Sequence, residues 1–148
     1  MSMEIALKPI GFARNAEGKH FGGWAGVVTR IELAPEFQPA LDGLTGYSHL
    51  VVVFWMHDVK SCELRHVPQG KAKAGVPEVG IFACRCVQRP NPIGVSTVRL
   101  LDVRDRVVTV QGLDVIDGTP ILDLKPYTPQ YDAAPDATVP EWVGKLDY

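Results

Sequence analysis

Short stretches in which apolar and polar residues alternate recur along this chain, and they predict β-strands rather than helices. Residues 26–33 alternate in this way, which is the pattern of a strand with one buried face. Residues 50–56 form an unbroken run of β-branched and aromatic residues, too short for an ordinary helix. This run predicts a central strand that is buried on both faces. Further strands are predicted at residues 5–13, 95–103, 107–115 and 121–125.

Turn residues separate these strands and favour a closed architecture. The tight turn at 104–106 predicts a hairpin between the two strands that flank it. One short helix is predicted at 35–41, with a proline in its first turn. The polar and basic stretch 58–77 has no clear period and is predicted to be a long loop. Because 14 glycines and 12 prolines lie mostly between apolar runs, we predict a mainly β protein. It would be a small single-domain β-barrel at 1–128 with an extended tail at 129–148.

Composition and charge narrow the class of protein. The chain has 148 residues, and no apolar run approaches the ~18 residues of a membrane span. It also lacks a signal-peptide pattern, so we expect a cytoplasmic protein with no membrane segment. The cysteines (Cys62, Cys84 and Cys86) are odd in number and lack a scaffold spacing, which favours a reducing compartment. A net charge of −2 and a pI near 6.1 exclude a broadly basic surface. Nucleic acid would therefore have to bind a local basic patch, or loops at the interface of a dimer.

Four polar segments at the ends of predicted strands are candidates for a single binding site. Barrels display their loops at strand ends, so we expect these segments to meet. A glycine-bearing turn presents backbone N–H groups, and Asp117 could accept ribose hydroxyls, as an acidic residue does in dinucleotide sites. A simple hairpin turn is the alternative interpretation there. The segments are 47–49 (Tyr-Ser-His), 57–58 (His-Asp), 84–86 (Cys-Arg-Cys) and 117–120 (Asp-Gly-Thr-Pro).

The sequence Arg-Pro-Asn-Pro-Ile-Gly at 89–94 predicts a stiff loop. Its two prolines fix their own φ angles and push Arg89 and Asn91 toward extended conformations. Gly94 permits a sharp turn or a close approach of another group to the backbone. Side chains on such a loop are held in place before a ligand arrives, which lowers the ordering cost of binding. A proline-stiffened turn between two strands is the alternative.

Metal binding and nucleophilic catalysis receive little support. His57, Cys62 and His66 lie near one another in sequence, but a Cys-x-Cys pair on a strand would point its thiols to opposite faces. We therefore predict no metal. A Cys–His nucleophile has no local signature here, and the phosphate-binding, dinucleotide and nucleophile-elbow motifs are all missing. His57 suits a proton relay, since imidazole titrates near neutral pH; a structural histidine is the alternative.

Several blocks of the sequence, taken together, resemble the TsaA-like family, to which the S-adenosylmethionine-dependent tRNA methyltransferase TrmO belongs. The blocks occur in the family's order and extend over nearly the whole chain. The Arg-Pro-Asn-Pro-Ile-Gly and Asp-Gly-Thr-Pro blocks are the most distinctive. The matching residues are 9–14, 44–50, 53–57, 80–85, 89–96 and 117–127.

The resemblance implies a β-barrel methyltransferase, outside the Rossmann-like class, that works as a homodimer. The family's best-known members methylate the N-6 amine of threonylcarbamoyladenosine at tRNA position 37. S-adenosylmethionine and tRNA are therefore the implied cofactor and partner. By motif match, cofactor contacts fall on His57, Asp58, Arg85, Val95 (through its backbone), Asp117, Gly118, Thr119 and Pro120. Substrate contacts are expected at Tyr47, Arg89 and Asn91, and His57 is the candidate catalytic residue.

Departures from the family pattern leave the methyl acceptor open. Where the family has a Pro-Arg-Gln block, this chain has glycine-rich residues 22–26; Asp58 replaces a usual glutamine and Cys84 a usual threonine. The alternatives are a small-molecule methyltransferase and a non-catalytic S-adenosylmethionine-binding adaptor. A basic run within 58–77 discriminates between a tRNA acceptor and these alternatives. If this run lines the site, it would contact the phosphates of a nucleic acid. That run consists of Lys60, Arg65, Lys71 and Lys73.

Overall fold

Antiparallel strands close into a barrel in the computed structural model, which describes residues 2–18 and 22–148. In chain order the strands are β1 (Gly11–Arg14), β2 (Val28–Leu33), β3 (His49–Trp55), β4 (Arg65–His66), β5 (Val79–Gly80), β6 (Ile93–Arg104), β7 (Val107–Gln111) and β8 (Pro120–Pro126). Around the barrel the order is β1-β2-β7-β6-β3-β8, and β8 pairs back with β1. Strands β4 and β5 form a separate two-stranded sheet. The predicted fold class is confirmed.

Side chains fill the interior of the barrel. Alternate residues of β2, β3 and β7 point inward because successive side chains of a strand lie on opposite faces. The ring of Phe54 covers Gly94 so closely that a Cβ atom there would overlap it, which explains the glycine that ends the stiff loop. A ligand must therefore bind at the ends or on the outside of the barrel. The large aliphatic side chains that are fully buried in this core are Ile31, Leu50, Val52, Val98, Val108, Val110, Leu113 and Ile121.

Two predicted elements are confirmed and one needs correction. A 3-10 helix spans Pro35–Leu41, and a hairpin joins β6 to β7 at Asp105, which adopts a positive φ of 54°. Strand β3 is central, as expected, because it pairs with both β6 and β8. The prediction that it is buried on both faces is wrong: burial alternates along it. Its outward face is only partly covered.

The first strand is shorter than predicted. Strand β1 begins at Gly11, where the chain starts to pair with β2 and β8. Residues 2–9 lie outside any strand or helix. Met3, Ile5 and Leu7 in this segment are exposed. The predicted strand at 5–13 therefore begins before the residues that pair with the rest of the barrel.

The stretch predicted as a long loop and the tail predicted as extended both contain short elements. Strand β4 pairs with β5, and two 3-10 helices follow β4 at Pro68–Gly70 and Ala72–Ala74. The tail carries α1 (Pro129–Asp132) and a 3-10 helix at Glu141–Lys145. The side-chain amide of Gln69 exchanges two hydrogen bonds with the backbone of Asp147. Among the described residues, no helix has the length and apolarity needed to cross a membrane.

Candidate cofactor site at one rim of the barrel

One end of the barrel brings together most of the residues expected to hold a cofactor. At this end Trp55 of β3 pairs with Ile93 of β6, and Phe54 pairs with Ile121 of β8. Just beyond β3, the Met56 N–H donates to the carbonyl of Pro92 at 2.7 Å. Residues 57–58 thus lie between the stiff loop and the turn that precedes β8. We call this end the Asp117 rim and define it as residues 56–58, 85, 92–96 and 114–120.

The turn at 117–120 is held firmly against β1. Gly118 adopts a φ of 80°, which favours glycine, and its N–H donates to the carbonyl of Ala13 at 2.9 Å. Thr119 is buried, and its hydroxyl donates to the Ile116 carbonyl at 2.7 Å. The N–H groups of Asp117 and Thr119 also bond within the chain. The expectation that this turn presents free N–H groups is therefore wrong, and its outward-facing polar group is the exposed Asp117 carboxylate.

Asn15 links this turn to strand β2 and to the loop that follows β7, a role that sequence reasoning missed. Its backbone N–H donates to the Asp117 carboxylate at 3.0 Å. Its side-chain amide donates to the Thr29 hydroxyl at 2.9 Å and to the Val115 carbonyl at 3.1 Å. Thr29 is fully buried, so this bond satisfies a polar group in the core. In the sequence Asn15 appears only as part of a polar turn after the first strand.

Arg85 reaches the start of β6. Its Nη2 donates to the carbonyl of Val95 at 2.5 Å, so two residues that were expected to share a cofactor lie in direct contact. Arg85 follows a 3-10 helix at Ile81–Ala83. The guanidinium therefore lies at the Asp117 rim.

The two cysteines that flank Arg85 are joined by a disulfide. The prediction of a strand that points the two thiols to opposite faces is wrong here. Cys84 and Cys86 lie on an irregular loop, not a strand, and their Cα atoms are 5.4 Å apart, within the range that a disulfide spans. Cys62 is free and exposed.

The side chain of Arg89 holds this cysteine loop through hydrogen bonds to its backbone carbonyls. Its Nη1 donates to the carbonyls of Ile81 at 3.1 Å, Cys84 at 2.7 Å and Cys86 at 3.2 Å. Asn91 is exposed on the same stiff loop, and its carbonyl accepts the Ile93 N–H at 2.7 Å. Substrate contacts at these two residues stay predictions. What the structure assigns to Arg89 is a structural role beside Arg85.

Tyr47 lies at the other end of the barrel. It precedes β3, whose seven residues separate it from His57 by roughly 20 Å at about 3.3 Å per residue. There it lines a cavity of about 150 Å³ with Thr45 and residues 100–103. The expectation that all four polar segments meet within one chain is therefore wrong for 47–49. A larger open cavity of about 670 Å³, between the 35–42 segment and the β6–β7 hairpin, is also at that end.

The basic run is partly neutralised by pairing within the chain. Arg65 lies 3.5 Å from the Glu78 carboxylate, and Lys71 lies 2.8 Å from that of Asp147. Lys60 reaches the carbonyl of His57 at 3.5 Å, which places a positive charge beside the Asp117 rim. Across residues 2–18 and 22–148, no three His, Cys, Asp or Glu side chains are grouped to hold a metal ion.

Comparison with known proteins identifies the family. The model of the tRNA-methyltransferase O N-terminal domain matches residues 20–133. This chain belongs to that family. It is 40% identical over 103 residues to the tRNA (adenine(37)-N6)-methyltransferase of Escherichia coli, which covers 67% of this chain and 44% of that enzyme. It is 34% identical over 133 residues to an S-adenosyl-L-methionine-binding protein of Archaeoglobus fulgidus, covering 86% and 93% of the two chains.

The barrel also matches a solved structure of the family. A crystal structure of TrmO from Pseudomonas aeruginosa superposes with a TM-score of 0.78 at 32% identity, covering 95% of this chain and 62% of that one. The family resemblance in the sequence is thus confirmed, and so is the β-barrel fold. The chain spans nearly all of the archaeal relative but under two thirds of the two bacterial ones.

Proposed function

We propose that this chain is an S-adenosylmethionine-dependent methyltransferase that methylates the N-6 amine of an adenosine in tRNA. Family membership supports the activity, and the E. coli relative is named for methylation at adenine 37. The observation that carries the proposal is the convergence at the Asp117 rim of three segments distant in sequence. These are 57–58, the Arg85–Val95 pair and the 117–120 turn.

The polar groups at the Asp117 rim fit this cofactor. Asp117 is exposed, and its Oδ1 accepts the Asn15 N–H, so the carboxylate is held at the surface for ribose hydroxyls. Exposed Asp114, which accepts a hydrogen bond from Ser96, adds a second negative charge. Carboxylates favour a nearby cation through Coulomb attraction. The bound cofactor supplies an electrophilic methyl group on a positively charged sulfur.

The contribution of the protein to the reaction is mainly positioning. Holding the two reactants in line can supply about 7–11 kcal/mol of the barrier. Arg85 and the 117–120 turn hold the cofactor side, because each is fixed by hydrogen bonds to the barrel. The amine must lose one proton as the new N–C bond forms. His57 is exposed within this rim and takes that proton.

We further propose threonylcarbamoyladenosine at tRNA position 37 as the acceptor, in the cytoplasm. The family resemblance supports it, and so does Lys60, whose charge beside the rim suits a phosphate. A small-molecule acceptor is the second candidate. It is favoured by the net charge of −2 and by the ion pairs that occupy Arg65 and Lys71.

We also propose that two copies pack through the outer face of β3 and β6. On this face Trp55 lies beside Ile93 and Val53 beside Val95, and Ile93 and Val95 are 36% and 42% exposed. An apolar sheet face of this kind favours a self-complementary interface between two copies. A two-fold axis across the strands would bring residue 47 of one copy toward the Asp117 rim of the other. This arrangement would give Tyr47 its expected place near the substrate.

Calorimetry with S-adenosylmethionine and S-adenosylhomocysteine tests the cofactor site. We expect Arg85→Ala to weaken binding about ten-fold or more, since a hydrogen bond to a charged group contributes about 1.5–3 kcal/mol. Arg30→Ala is the matched control, because Arg30 is exposed on β2, a strand that pairs with β1 and β7 and belongs neither to the Asp117 rim nor to the proposed dimer face. Equal binding by the wild type and Arg85→Ala would remove Arg85 from the site. If the wild type binds neither compound, the proposed function is wrong.

A further inference from the structure

The disulfide at Cys84 and Cys86 encloses a single residue, Arg85, which belongs to the proposed cofactor site. We propose that these two cysteines form a reversible thiol–disulfide switch that sets the affinity of the Asp117 rim for its cofactor. The inference rests on the proposed function. The family resemblance predicts a threonine at the position of Cys84, so the pair is a departure from the pattern that the resemblance implies.

Arg85 is held at both of its ends in the disulfide form. Its backbone lies between the bonded cysteines, and its guanidinium donates to the Val95 carbonyl at 2.5 Å. The carbonyls of Cys84 and Cys86 both converge on one nitrogen of Arg89, at 2.7 and 3.2 Å. The bond therefore fixes the backbone from which Arg85 extends toward the rim.

The position of this disulfide suits a regulatory role better than a role in stabilising the fold. A disulfide stabilises a fold mainly by closing a loop in the unfolded chain, and the effect grows with the length of the loop. Here the sequence separation is two residues, so little of the unfolded chain is constrained. The barrel also has its own buried apolar core. The consequences of opening the bond should therefore be confined to the Arg85 loop.

The two cysteines differ in their access to solvent. This difference determines which of them reacts first in thiol–disulfide exchange. Cys84 is 9% exposed and Cys86 is more accessible. The Cys86 thiolate attacks a disulfide oxidant of the glutathione class, forming a mixed disulfide and releasing one thiol. The Cys84 thiolate then attacks the Cys86 sulfur and releases the second thiol. The two cysteines lose two protons and two electrons, and the sulfurs of the oxidant gain them.

The disulfide form should bind the cofactor more tightly. Reduction frees the backbone around Arg85, and a ligand must then order that loop as it binds. We expect reduction to weaken binding by about five-fold or more, the lower end of typical coupling between sites. Because coupling is reciprocal, saturating ligand should make the disulfide harder to reduce by the same factor.

Calorimetric titration of the full chain with S-adenosylhomocysteine tests the switch. The protein is titrated after treatment with oxidised glutathione and again after reduction by a phosphine, with the bond confirmed by intact mass. Cys62→Ser is the matched control, since Cys62 is free and exposed, and it should respond to reduction like the wild type. The double variant Cys84→Ser, Cys86→Ser should bind with one affinity under both conditions. A glutathione buffer series with and without the ligand measures the reciprocal shift.

The outcomes separate this inference from the proposed function. Tighter binding by the oxidised wild type and Cys62→Ser, with no response in the double variant, supports the switch. Equal or tighter binding by the reduced wild type overturns it and leaves the cofactor site standing. Failure of oxidised glutathione to form the bond also overturns it. Absence of binding in both forms removes the proposed function itself.

Discussion

Asn15 is the residue whose hydrogen bonds join the cofactor turn to the core. Replacing it with alanine removes the donor to the buried Thr29 hydroxyl and the side-chain bond to Val115. Loss of a partner for a buried polar group costs about 1–3 kcal/mol. We expect Asn15→Ala to lower the free energy of unfolding in urea by that amount and to weaken S-adenosylhomocysteine binding. Asn91→Ala, at an exposed asparagine of the stiff loop, should change neither quantity. Unchanged ligand affinity in Asn15→Ala would show that the turn does not depend on it.

Gly94 is constrained by packing rather than by its φ angle. A Cβ there would overlap the ring of Phe54, a buried core residue. Overpacking of this kind typically costs about 1–3 kcal/mol. We expect Gly94→Ala to lower the free energy of unfolding by that amount, measured in urea. At Gly46 a Cβ would meet no other atom within 4 Å, so Gly46→Ala should be close to neutral. Equal stability of the two variants would contradict this account of the stiff loop.

At the scale of elements, the sequence predicts the strands that bury one face and misses features that depend on distant partners. The β6–β7 hairpin and the helix at Pro35–Leu41 follow from local turn residues, and both are found. The first strand begins later than its pattern suggests, because pairing with β2 and β8 starts only at Gly11. The Cys84–Cys86 bond and the bonds of Asn15 depend on three-dimensional positions that no spacing rule contains.

The segments of the candidate site could be placed only in part from the sequence, because their meeting depends on which strands are neighbours. Segments 57–58 and 117–120 converge because β3 and β8 are neighbours; the family resemblance implied only that both segments contact the cofactor. Residues 47–49 are at the far end of the same strand, so strand-end position alone could not place them. A strand has two ends, and one chain's pattern does not say which of them carries the site.

The unpaired N-terminal segment allows an element-scale prediction. Among the described residues, no hydrogen bond involves residues 2–8, whereas Ile10 and Ala13 both bond to β8 or its preceding turn. Removing residues 2–8 should therefore leave the thermal midpoint almost unchanged. Removing residues 2–13 also deletes most of β1 and should unfold the barrel. Circular dichroism melting distinguishes these outcomes, and a large loss of stability in the shorter deletion would contradict the pairing described.

At the scale of the whole molecule, the proposed dimer predicts which surface tolerates charge. Val53→Asp puts a carboxylate on the outer face of β3, beside Val95, where burial of an unpaired charge against a second copy is unfavourable. We expect this variant to sediment as a monomer. Val28→Asp is the matched control, because Val28 is an exposed strand valine on β2. If the wild type is itself monomeric at micromolar concentration, or if both variants dissociate alike, the proposed interface is wrong.

Methyl transfer to tRNA tests the central claim most directly. Labelled S-adenosylmethionine is incubated with the protein and with tRNA from a strain that lacks its own position-37 N-6 methyltransferase, and the RNA is digested to nucleosides. We expect label on threonylcarbamoyladenosine with the wild type and Arg30→Ala, and strong loss of label with Arg85→Ala. Label found only in small molecules, or in nothing although the cofactor binds, would contradict it.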